Sequence, residues 1–264
     1  MRRHLLAELY WRNPLLTLVG WLHVVLLLAT LAGLLTDDRV VMGANAWLKP
    51  MKFMLSIAIF LWTIAWFSKY IRRPRWLLTT VSIVISLTMI IESACILLQA
   101  ARGTTSHYNV ATDFDAAIFQ TMCIMIGINI FMAVVILFMF SKPSARLHPA
   151  YLWAIRAGIV IFVAGGAIGG VMLGNGAHTF GAPDGGPGLP LLDWSTVGGD
   201  LRIAHGLALH ALQILPLIGY GLSRWSAVPR LATKLVLLAL AILVYSAAVV
   251  VLYRQAIQGM SLLG

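Results

Sequence analysis

"GGDLRIAHGLALHALQILPL" occupies residues 198–217. Fifteen of its residues are apolar or glycine, yet it carries Asp200, Arg202, His205, His210 and Gln213. At 100° per residue, with His205 at 0°, Arg202 falls near roughly 60°, Gln213 near 80° and His210 near 140°. The polar groups therefore share one arc. Ala204, Leu207, Ala208, Ala211, Ile214 and Leu215 fill the other side. Such a segment is a membrane helix with one polar face, and Asp200 stands where an N-cap belongs.

The rest of the chain supports that reading. Of 264 residues 60% are hydrophobic and only 11% charged, and the mean hydropathy is +0.90. A soluble domain is nearer a quarter charged. Seven apolar runs are long enough to cross a bilayer: 14–35, 47–68, 76–100, 116–140, 151–174, 201–222 and 231–253. Each must be helical, because a lone span in lipid has no other way to satisfy its backbone. The fold class is all-α, a polytopic seven-transmembrane-helix bundle forming one domain over residues 1–264.

The net charge of +10 is read through the positive-inside rule rather than as a sign of nucleic acid, since the basic residues are scattered among short loops. With the N-terminus in the cytoplasm, Arg2, Arg3, Arg12, Lys69, Arg72, Arg73, Arg75, Lys142, Arg146, Arg156, Arg224, Arg230 and Lys234 lie inside. Seven crossings then put the C-terminus outside. The compact loops and the charge bias point to a bacterial inner membrane. The acids run the other way: Glu8 alone is inside, while Asp37, Asp38, Asp113, Asp115, Asp184, Asp193 and Asp200 are at outer loops or helix ends. Polar work is therefore expected in the outer half.

Several features gather there. On the third span Thr88, Glu92, Cys95, Gln99 and Arg102 recur at spacings of four, three, four and three, which makes one stripe. Glu92 and His210 each lie about 12 Å below the outer end of their helices. An ionisable group at that depth is a functional candidate by default. The second span opens "NAWLKPMKFMLS", with Lys49 and Lys52 on the outer side against the charge trend. The loop "RGTTSHYNVATDFD", residues 102–115, adds His107, and its Asp113 and Asp115 are placed to cap the fourth span. The loop 175–199 adds His178. This loop has no evident regular structure, but its Phe180, Leu189, Leu191, Leu192 and Trp194 suit a lid over the bundle mouth. His23, in the first span, has no polar company in its own helix. The glycines of "AGGAIGGVMLGNG", residues 164–176, allow close helix packing or room for a flat cofactor.

From these residues the expected site is one outward-facing pocket. Glu92, His210 and Lys52 are the catalytic candidates. Lys49, Gln99, Arg102, Arg202 and Gln213 are the substrate-binding candidates. His107, His178, His205, His210 and Glu92 are the metal candidates. The leading expectation is a zinc-like divalent metal aiding an enzyme that acts on a lipid or amphiphilic substrate. The chain lacks H-E-x-x-H, H-x-x-x-H and G-x-S-x-G, so no single motif fixes that chemistry. Three alternatives stand beside it. A b-type haem protein would use His205, with Arg202 near a propionate. A proton- or ion-coupled transporter would use Glu92, His210, Gln99 and Gln213, although comparable groups are sparse in the inner half, where Asn129 is the exception. A non-catalytic membrane binding protein would need the polar core only for structure. Lipid is the expected surrounding partner, and nucleic acid is not expected.

Overall fold

The computed structural model describes residues 4–142 and 147–263; Arg2, Arg3 and Arg146, counted above among the basic residues, lie outside them. Among the described residues there are eight helices: α1 (Leu5–Arg12), α2 (Pro14–Thr36), α3 (Leu48–Ser68), α4 (Arg75–Ala101), α5 (Asp113–Met139), α6 (Pro149–Asn175), α7 (Leu201–Arg224) and α8 (Leu231–Ile257). All but α1 are long and apolar enough to cross a membrane. The expected seven spans are therefore present as helices. The chain divides into two compact units, Met1–Met132 and Ala133–Gly264, with the boundary inside α5.

In the first unit Asn13 and Pro14 separate α1 from α2. Asn13 is extended, so α1 ends there, and its Oδ1 accepts from the Leu16 amide to start α2. Its Nδ2 donates to Ser68 Oγ at 3.2 Å and Ser82 Oγ at 2.7 Å, joining α2, α3 and α4. Between α2 and α3 a hairpin forms from β1 (Val40–Val41) and β2 (Ala44–Asn45). Met42 and Gly43 both have positive φ, as a two-residue hairpin turn requires.

In the second unit α6 packs on α7 along a seam of small residues. A Cβ on Gly158 would lie 2.7 Å from the Ala211 carbonyl oxygen, and one on Gly219 would lie 2.3 Å from Ala154 Cβ. Of the glycines in residues 164–176, Gly165 is covered by Ala208 and Leu209 of α7, as the packing reading expects, while Gly170 and Gly174 face open space.

The segment between α6 and α7 differs from the structureless loop expected. It contains β3 (Thr179–Phe180) paired antiparallel with β4 (Gly199–Asp200), and an isolated bridge joins Gly188 to Ser195. The organiser is Asp184. It accepts from the His178 and Thr179 amides, from Thr179 Oγ1 and from His178 Nδ1 at 2.6 Å. Glycine permits the loop to lie flat on α8, since a Cβ at Gly199 would come within 2.0 Å of the Ala256 oxygen.

Basic side chains close the C-termini of four helices. Arg12 Nη1 donates to the Trp66 carbonyl of α3, and Arg39 Nη1 to the Ala101 carbonyl of α4. Arg156 donates to the Phe140 carbonyl just past α5, and Lys234 Nζ to the Ser223 carbonyl of α7. Each cation meets orphan carbonyls at the negative end of a helix dipole.

Candidate functional site

The stripe on α4 faces α5, and α5 answers it in register. Asp115, Met122 and Asn129 are seven apart, hence on one face of α5, and all three are buried. At one level Asn129 Nδ2 donates to Thr88 Oγ1 at 3.3 Å. At the next are Glu92, Cys95 and Cys123. At the C-terminal end of α4, Asp115 accepts from Gln99 Nε2 at 2.8 Å and from Arg102 Nη1. Thr112 and Asp115 form a reciprocal pair at the start of α5. The Asp115 amide donates to Thr112 Oγ1, and Thr112 Oγ1 donates to Asp115 Oδ2. Asp115 thus helps cap α5 and also holds the Gln99–Arg102 pair of α4.

Glu92 is the exception to this satisfaction. It is 3% exposed, and its Oε2 has no hydrogen-bond partner among the described residues. The charge whose field reaches it is Lys49, half-buried in the first turn of α3. A buried carboxylate in this condition has not been compensated by the fold, and the group calls for a functional explanation. One turn further along α4, Ile96 forms an apolar cluster with Ile118 and Met122, against which Phe53 and Cys95 pack.

His107 lies over the same region of the first unit. Its ring centroid is 5.9 Å from that of Phe53, 6.1 Å from Tyr108 and 6.3 Å from Phe119, and its Nδ1 is 3.0 Å from Ser106 Oγ. Lys52 is half-buried on α3, one turn from Lys49. Sequence reasoning left His23 isolated. In the structure it is fully buried, with Nδ1 2.7 Å from the Val19 carbonyl and Nε2 2.8 Å from Ser93 Oγ on α4. A carbonyl only accepts, so Nδ1 carries the proton and Nε2 accepts from Ser93.

A second polar stripe on α4 was missed altogether. Ser82, Ser86 and Ser93 are buried on another face; Ser82 accepts from Asn13, Ser93 meets His23, and Ser86 Oγ has no hydrogen-bond partner among the described residues. Serine is too small and too neutral in hydropathy to interrupt a span, so the window average hides it.

In the second unit Arg202 is held by acids. Its guanidinium donates to both Asp200 oxygens, to Asp193 Oδ2 and to the Asp193 carbonyl. Asp200 also accepts from the Arg202 and Ser195 amides, capping α7 and fixing the preceding loop. His205 donates from Nδ1 to the Gly165 carbonyl at 2.8 Å, with its ring against Gly169. His178 is on Asp184. His210 is exposed on α7, with Gln213 half-buried one turn on.

The expected metal set, Glu92, His107, His178, His205 and His210, is not found as a cluster. Among the described residues no three His, Cys, Asp or Glu side chains come together as metal ligands. The physical reason is that the imidazoles have other employment: His178 on a carboxylate, His205 on a backbone carbonyl, His107 among aromatic rings. Glu92 and His107 belong to the first unit, and the other three histidines to the second.

No family model, curated protein or solved structure matches the chain. The functional reading therefore rests on the chemistry of its own residues.

Proposed function

We propose that this is an integral membrane protein that moves protons across the bilayer, with Glu92 as the group that takes up and releases them. The observation that carries the reading is the buried, unpartnered Oε2 of Glu92 in the middle of a membrane helix. The neutral and charged forms of such a carboxyl differ steeply in solvation, so a proton arriving or leaving is a large local event. Lys49 supplies the countercharge. Lys52 and His107 lie in the same unit, where they can relay a proton or steer a charged solute. Gln99 and Arg102 hold the mouth of α4 against Asp115.

The two polar stripes of α4 support the same reading. From Arg102 to Ser82 the helix rises about 30 Å, close to the hydrocarbon thickness of a bilayer. Buried polar side chains mark this length at Gln99, Glu92, Ser93, Thr88, Ser86 and Ser82. The lysine and arginine distribution favours a cytoplasmic N-terminus.

The test uses sealed vesicles holding the purified protein and an entrapped pH dye. An imposed membrane potential drives acidification or alkalinisation with the wild type, and Glu92→Gln reduces the rate to that of protein-free vesicles. His210→Ala retains the wild-type rate. A wild type no faster than empty vesicles, or a Glu92→Gln as fast as wild type, overturns the reading.

A b-type haem is the second reading, favoured by one observation. His205 has Nδ1 committed to the Gly165 carbonyl, which leaves Nε2 as a ligand nitrogen, and Gly169 offers no side chain beside the ring. A Soret band in the purified protein, lost in His205→Ala, supports it. A colourless protein with full proton transport removes it.

A further inference from the structure

α1 carries its polarity inside out. Glu8 and Arg12 turn toward the protein: Arg12 Nε donates to Glu8 Oε1 at 3.0 Å, Arg12 Nη1 donates to the Trp66 carbonyl at 2.7 Å, and the guanidinium lies 3.5 Å over the Trp66 ring. Leu9 is buried beside them. The outward face carries Leu6, Tyr10 and Trp11, exposed at 49%, 49% and 67%. In water this arrangement is the wrong way round for an eight-residue helix. It suits a helix lying at the boundary between headgroups and acyl chains, where indole and phenol side chains sit with an apolar body and a polar tip.

The turn that α1 packs beside is strongly basic. Lys69, Arg72 and Arg73 lie between α3 and α4, and Arg75 opens α4, with Trp76 beside it 68% exposed. Glu8 is the one acid of this end and is shared between Arg12 and Lys69, whose Nζ is 3.0 Å from Glu8 Oε1. Those contacts hold the Glu8 carboxyl below its usual range, chiefly through the hydrogen bond from Lys69. Glu8 therefore cannot neutralise the remaining arginines, of which Arg72 and Arg75 are exposed. The cluster keeps a net positive field beside an apolar, aromatic face.

We infer that α1 and the α3–α4 turn form an interfacial platform that binds anionic phospholipid, with Leu6, Tyr10 and Trp11 in the headgroup boundary and Arg72 and Arg75 on the lipid phosphate. Two signals act together, as stable surface binding requires: insertion of apolar side chains and attraction of the headgroup charge. The platform is independent of the proton reading, because none of its residues belongs to the Glu92 region.

The test presents the purified protein with mixed micelles of phosphatidylglycerol and phosphatidylcholine in equal amounts and reads the retained lipid by native mass spectrometry. Wild type retains phosphatidylglycerol several-fold over phosphatidylcholine. The double variant Arg72→Gln, Arg75→Gln retains both equally while its melting temperature is unchanged. Fluorescence in vesicles supplies the second arm. The emission lost in Trp11→Phe is the part quenched by lipids brominated near the headgroup, and not the part quenched by aqueous iodide. A wild type without headgroup preference, a double variant that keeps it, or a Trp11 emission reached only by iodide overturns the platform.

Discussion

Arg39 Nη1 lies 2.9 Å from the carbonyl oxygen of Ala101, so a loop arginine closes the C-terminus of α4. Arg156 does the same beyond α5 with two nitrogens, Nε at 3.0 Å and Nη2 at 2.6 Å from the Phe140 oxygen. Cations at such ends stabilise by about 0.3–2 kcal/mol, most where they are least exposed. Arg39 is nearly half-exposed and already paired with Asp37, while Arg156 reaches two successive carbonyls. Arg156→Gln is therefore expected to destabilise more than Arg39→Gln, the former by about 1–2 kcal/mol. Reversible unfolding in mixed detergent measures both. The reverse order would show that these contacts do not act as caps.

His23 and Ser93 tie α2 to α4 at the centre of the first unit. Hydrogen bonds between helices in a membrane are worth about 0.6 kcal/mol on average and up to about 1.7. Ser93→Ala removes the bond alone. His23→Ala removes the bond and leaves a cavity at a fully buried position, which adds roughly 2–4 kcal/mol. A double-mutant cycle isolates the bond, with an expected coupling of about 1 kcal/mol. Strict additivity of the two losses would mean that the pair does not interact.

The seven spans were legible because length and hydropathy are carried by every residue of a run. The Thr88–Arg102 stripe was legible for a related reason: a period of 3.5 residues leaves a visible pattern within one segment. Its answering face on α5 was only half visible, since Asp115 and Asn129 are fourteen apart with Met122 between them. What escaped depends on partners far along the chain. His23 finds Ser93 seventy residues away, and Asn13 finds Ser82 at a similar distance. Arg12, Arg156 and Lys234 were legible only as topology signals, whereas in the structure they also close helices. The histidines were pooled as ligands because imidazole is the usual metal donor. Sequence gave no sign that His178 and His205 had nearer partners.

Asp184 sets the acid limit of the loop between α6 and α7. Burial acts to raise its carboxyl, but hydrogen bonds from His178 and Thr179 outweigh burial and hold it well below the usual carboxylate range. A group depressed in the folded state stabilises fully above its unfolded value of about 4 and loses that contribution as pH falls through the folded one. The loop is therefore expected to keep its structure from neutral pH down to about 4 and to loosen below it. Hydrogen exchange at the His178 and Thr179 amides, corrected for intrinsic rates, reads this directly. Asp184→Asn is expected to show at neutral pH the reduced protection that wild type shows only in acid. Equal protection in variant and wild type at neutral pH would remove Asp184 as the organiser.

Gly158 and Gly170 lie on the same helix and should respond oppositely to the same methyl group. A Cβ at Gly158 meets the Ala211 carbonyl oxygen at 2.7 Å and Pro216 Cδ at 3.3 Å. Both are on α7, and a backbone carbonyl cannot turn aside without disturbing the helix that carries it. Gly158→Ala must then push α6 from α7, and overpacking of this kind costs about 1–3 kcal/mol. A Cβ at Gly170 meets nothing within 4 Å. There alanine removes backbone freedom from the unfolded chain and is expected to be neutral or to stabilise by up to about 1 kcal/mol. Melting of the two variants in the same detergent, each against wild type, gives the comparison. A Gly158→Ala that melts at or above wild type would mean that α6 and α7 do not approach as closely as the seam requires.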